Sequence, residues 1–105
     1  MKRKRTKPVA AIVSFTKEEF ELLKQTAEDS DRLDDTYADW RANVDRTRAI
    51  MKAAGAETFE LNVTVAEIEA YCRINGEKNT GATRAQLSQK LASGTLHRSA
   101  LHGPK

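Results

Sequence analysis

Cysteine is almost missing from this chain: Cys72 stands alone among 105 residues, so no intrachain disulfide can brace the fold. A lone thiol suits a reducing compartment, and the expected location is cytoplasmic. Long apolar runs are missing too. No stretch approaches the roughly 20 apolar residues that cross a bilayer as a helix, which argues against a membrane partner. The apolar segment from Val9 to Phe15 follows basic residues as a signal sequence would, yet Lys17 and Glu18 end it at the short limit of such regions. Aromatics make up only 6% of residues, and 39% hydrophobic content stands against 31% charged. A chain of this length and composition holds one domain with a thin core and a densely charged surface.

The residue constellations of common catalysts are missing as well. The segment from Gly76 to Gly81 has the composition of a phosphate loop, but its lysine and threonine precede the second glycine instead of following it. His97, His102 and Cys72 provide no tight ligand pair for zinc, and no metal is expected. Asp29, Asp31, Asp34, Asp35 and Asp39 lack the glycine and terminal glutamate of a calcium loop, leaving a solvated acidic rim. Cys72 lies mid-helix among apolar neighbours, where thiols are inert. The reading is of a protein that is not an enzyme and carries no cofactor.

What is present is charge, and it is segregated. The formal net charge is +3, of which Lys2, Arg3, Lys4, Arg5 and Lys7 place five positive charges in the first seven residues. Residues 17–39 hold nine acidic residues against three basic ones, and residues 40–105 turn basic again. A polybasic arm is an electrostatic hook for phosphates, or simply a solvated end.

Also present is a repeated start signal. Thr16/Glu19, Thr36/Asp39, Thr64/Glu67 and Thr83/Gln86 each set a threonine three residues ahead of an acidic residue or glutamine. In that spacing the threonine oxygen accepts from the third helical N–H, and the later side chain reaches back to the cap's own N–H. Four helices are therefore predicted. Phe15 with Phe20, and Val63 with Ile68, add hydrophobic staples to the first and third. The second helix carries Tyr37, Trp40, Val44, Thr47, Met51 and Ala54 on one stripe, with Gly55 as its stop. Arg41, Asp45, Arg48 and Lys52 fall on the opposite face, which is expected to meet water or a partner. Residues 29–35 and 75–82 read as loops.

Two strands complete the prediction. Residues 9–14 are short and apolar, and residues 58–63 alternate strictly, with Phe59, Leu61 and Val63 on the side expected to be buried. An unpaired strand needs a partner, either the other segment or a second copy of itself, so a homodimer through strand pairing is one expectation. The predicted class is α+β, mainly α: four short capped helices with a minor two-stranded β element in the order β-α-α-β-α-α. The expected organisation is a disordered basic arm at 1–8, a globular domain at 9–94 and a flexible tail at 95–105.

Two functional surfaces follow. Helices three and four, joined through a glycine-bearing turn, suggest a helix-turn-helix whose outward residues Arg84, Gln86, Gln89 and Lys90 suit bases and phosphates, although residues 76–82 are long for such a turn. Tyr37 and Trp40 read as core anchors or as an interface hot spot, flanked by Arg41, Arg48 and Lys52.

The order of motifs, from Phe15-Thr16 and Tyr37-x-x-Trp40 through Tyr71-Cys72 to Ala82-x-Arg84-Ala85, resembles a family of small uncharacterised bacterial proteins across about residues 14–92. That resemblance implies no activity and no site residues. The leading expectation is a non-catalytic intracellular protein-interaction or regulatory module of bacterial or mobile-element origin. The alternative is a nucleic-acid-binding protein using the basic arm and the fourth helix.

Overall fold

A computed structural model describes residues 9–102, and the predicted arm at residues 1–8 lies outside the described residues. The order is β1 (Val9–Ser14), α1 (Lys17–Thr26), α2 (Tyr37–Ala53), β2 (Glu57–Asn62), α3 (Val65–Asn75), α4 (Gly81–Ala92) and α5 (Ser99–His102). This is the expected α+β order, mainly helical, with one short helix added at the end. A single 3-10 turn at Ser30–Arg32 interrupts the loop between α1 and α2.

Three of the four predicted caps sit where the sequence places them. Thr16, Thr36 and Thr64 accept from the N–H groups of Glu19, Asp39 and Glu67. Only at Thr64 does the acid also reach back, at 3.0 Å from the cap N–H. Glu19 instead crosses to α3 and accepts from the Val65 N–H at 2.7 Å, so one helix's first turn caps another's. The fourth cap is a correction. Thr80, not Thr83, precedes α4 and accepts from the Thr83 N–H, which makes Thr83 a buried residue of the first turn. Gly76 ends α3 with φ +66, a left-handed turn that its missing Cβ permits.

The two strands run parallel, in register from Val9 opposite Glu57 to Ser14 opposite Asn62. The Val63 N–H donates to the Ser14 carbonyl. In a parallel ladder this bond turns the odd residues of β2 toward β1 and the even ones, Thr58, Glu60 and Asn62, toward the free edge. Helix α2 packs on β2 and α4 on β1. The core gathers Phe15, Phe20, Leu23, Val63, Val65, Ile68, Tyr71 and Leu87, each close to fully buried. Each such side chain contributes about 2 kcal/mol of burial.

Of the tail expected at 95–105, residues 95–102 are described and include the short helix α5. Leu101 in α5 is only 6% exposed and belongs to the core, with Leu96 packed against it. No described helix is long and apolar enough to cross a membrane.

Candidate functional site

The densest set of polar contacts lies between α2 and the sheet. Two arginines about two helical turns apart, Arg41 and Arg48, project from α2 onto Glu60 of β2. Arg41 donates to both Glu60 carboxylate oxygens, through Nη1 at 2.7 Å and Nη2 at 2.5 Å. Arg48 donates to Glu60 Oε2 at 2.8 Å and to Thr58 Oγ1 at 2.8 Å, and the Ser14 hydroxyl donates to Glu60 Oε1 at 2.8 Å. The hydrogen bonds from Arg41 dominate and hold the Glu60 carboxyl down at about 2, with burial opposing and Ser14 and Arg48 assisting. The same bonds push the Arg41 guanidinium above its ordinary range.

This arrangement reverses a prediction. The arginine face of α2 was expected to meet water or a partner, and it meets the chain's own β2. The polar side of β2, Thr58 and Glu60, is the one that α2 covers, while Phe59 on the apolar side remains 39% exposed. Of the predicted partner surface, Tyr37 and Trp40 are half-buried in an aromatic cluster. Trp40 lies 5.7 Å from the Phe15 ring, 5.7 Å from Phe20 and 5.4 Å from Tyr37. Lys52 alone of that set is exposed, beside an open cleft of about 540 Å³ that Arg48, Gly55 and Glu57 also line.

The predicted nucleic-acid face is also altered. Arg84 is not outward: it is 7% exposed and held by Asp29 at 3.1 Å and by Asn79 Oδ1 at 2.8 Å. Asp29 also accepts from the Gly81 N–H at 2.8 Å, at the start of α4. Burial pushes the Asp29 carboxyl up, but Arg84 and Gly81 outweigh it and leave it below the ordinary carboxylate range. Gln86 and Gln89 are exposed, with Gln86 accepting from the Tyr71 hydroxyl, and Lys90 sits 5.3 Å from the centre of the Tyr71 ring. The turn between α3 and α4 shortens to residues 76–80. Lys2, Arg3, Lys4, Arg5 and Lys7 lie outside the described residues.

A second carboxylate cluster was not read from the sequence. Glu67 is buried, and Arg98 donates to its two oxygens at 2.7 and 2.8 Å while His102 Nε2 lies 3.0 Å away. Burial raises the Glu67 carboxyl, and the bonds from Arg98, the Thr64 N–H and His102 more than offset it, for a net downward displacement. The one available signal was the spacing Arg98-x-x-Leu101-His102, which places an arginine and a histidine either side of an apolar residue.

The free edge of β2 is partly closed by the same two clusters. Arg48 donates to the Thr58 carbonyl at 3.2 Å, and Arg98 donates to the Asn62 carbonyl. A second copy pairing along this edge has to displace both guanidinium groups, a common defence of exposed strands. The opposite sheet face is closed at one end, where Val13 and Val63 reach the core. At the other end Val9, opposite Glu57, is 60% exposed, and Phe59 lies on the same face.

Among the described residues, no group of three His, Cys, Asp or Glu side chains is placed to hold a metal ion. Burial, with Glu77 and Glu69 nearby, pushes the Cys72 thiol up, away from a reactive thiolate. Comparison with protein-family models, curated proteins and solved structures gives no match.

Proposed function

We propose that this chain is a non-catalytic, cytoplasmic protein-interaction module that docks a partner on the open end of its sheet, with Phe59 as the anchor. The single observation that carries this reading is the half-covered parallel sheet. Parallel strands are ordinarily packed on both faces, because their backbone connections place helices there. Here Phe59 and Val9 stay in solvent on one face while the other is sealed by α2. A ring partly desolvated at rest, with the charged Glu57 two positions away on the same side of the strand, matches the pattern of an apolar anchor with a polar rim. The unpaired Cys72 supports the cytoplasmic part of the proposal.

The test is affinity purification of the full chain from its native host, wild type against Phe59→Asp, each with and without nuclease. The expected result is a protein set that survives nuclease and is lost with Phe59→Asp, while the emission of Trp40 stays native. A set unchanged by Phe59→Asp refutes the reading. A set removed by nuclease transfers the function to nucleic acid, through Gln86, Gln89, Lys90 and the basic residues 2–7.

A further inference from the structure

The two ends of the molecule's charge inventory meet at Glu67, and they do so through a segment that is hard to stabilise on its own. Helix α5 has four residues, far below the length at which an isolated helix persists in water. It follows Gly94, whose φ of +80 makes a turn that side chains resist. Its hold on the domain comes from Leu101 in the core, aided by Leu96, and from Arg98 and His102 on Glu67. The Arg98 and His102 side chains keep much of their surface in water, whereas the carboxylate they serve is buried.

The receiving side is preformed. Glu67 completes the capping box of α3 by accepting from the Thr64 N–H, and Glu19 accepts from the neighbouring Val65 N–H. The outward carbonyl of Asn62 takes the second arm of Arg98. With residues 95–102 lifted away, Glu67 loses Arg98 and His102, and the apolar site that Leu101 fills is opened. An occupant that refills the apolar site covers the carboxylate again, and a covered charge left unpaired is costly, so the slot selects an occupant that brings an arginine as well.

We propose that this slot between the start of α3 and the end of β2 is a second docking site, for a short peptide of a partner protein with an arginine three residues before a leucine-like side chain and a hydrogen-bonding side chain such as histidine just after it. The chain's own residues 95–102 occupy it in cis as an autoinhibitory strap. The site shares the interaction-module reading but uses a surface separate from Phe59. A tethered segment competes at millimolar effective concentration, so a free peptide enters appreciably only when the tethered copy is weakened.

The experiment uses the full chain and a fluorescent synthetic peptide of residues 95–102, read by polarisation. The double variant Arg98→Ala/His102→Ala removes both side chains of the strap that bond Glu67, at partly exposed positions, and Trp40 emission reports whether the core is intact. The expected result is at least tenfold tighter peptide binding than wild type, abolished when Glu67→Gln is added and unchanged by Phe59→Asp. Equal binding by wild type and the double variant overturns the proposal. Loss of native Trp40 emission in the double variant also overturns it, since the segment is then a fixed part of the fold. A wild-type dimer in which residues 95–102 crosslink between copies assigns the slot to a second copy and overturns the partner peptide. Loss of peptide binding with Phe59→Asp alone shows that the two surfaces are one site, whereas failure of the sheet-face test leaves the peptide result standing.

Discussion

Replacing Glu60 by glutamine removes one charge from the cluster that joins α2 to the sheet and keeps its shape. The Glu60 carboxyl falls from its ordinary value of 4.5 to about 2 in the folded chain, because Arg41 above all binds its charged form. Each unit of that displacement corresponds to about 1.4 kcal/mol, so the charge is worth about 3 kcal/mol before screening. Arg41's upward displacement describes the same interaction and is not added. Glu60's side chain is 22% exposed and both arginines are wetter still, which trims the expected loss to about 2 kcal/mol. Urea unfolding followed by Trp40 fluorescence then shows a midpoint lower by about 1 M at pH 7 for Glu60→Gln, for a slope near 2 kcal/mol per M. The carboxylate's stabilisation is complete above 4.5, the value in the unfolded chain, and is lost as pH falls through about 2. Glutamine does not titrate, so the difference between the two proteins closes over that window. A difference under about 0.5 kcal/mol at pH 7, or one that persists undiminished at pH 2, refutes the reasoning.

Two further outcomes follow from corrected assignments. Thr80→Ala lowers stability by about 1 kcal/mol in the same urea assay, because the Thr83 N–H loses its side-chain acceptor. A Thr80→Ala protein as stable as wild type shows that the cap contributes nothing. Arg84→Ala leaves Asp29 and Asn79 without their shared donor and costs about 3 kcal/mol in thermal or urea unfolding. If Arg84→Ala instead weakens binding of a DNA duplex at low salt with stability unchanged, the buried placement of that guanidinium is wrong.

Local features were legible in the sequence and long-range ones were not. The caps at Thr16, Thr36 and Thr64 involve atoms three residues apart, so spacing alone identifies them. Thr83 misled because its partner three residues on is a glutamine, the better capping-box residue, whereas Thr80 is followed by Gly81 and has only another threonine at that position. Alternation in residues 58–63 correctly predicted a strand but gave no sign that α2 covers its polar side. Burying Glu60 is favourable only because Arg41 and Arg48 arrive from another element, and a pattern within one strand holds no trace of them. Arg84 was read as an outward recognition residue for the same reason, since its partner Asp29 is 55 positions away. The docking of Leu101 escaped because four residues are too few to show a helical period.

The parallel pairing of β1 and β2 has a consequence for how the chain comes into being. Ser14 and Glu60 touch across 46 intervening steps of sequence, so the first strand has nothing to bind while α1 and α2 are being made. Closing so wide a loop must precede any reward from the ladder, and folding rates fall as such distant contacts dominate. On the ribosome, Val9–Ser14 emerges first and must wait as an unmatched apolar ribbon until Glu57–Asn62 leaves the exit tunnel. β1 is thus made before the helices that follow it and paired only after β2 has been made.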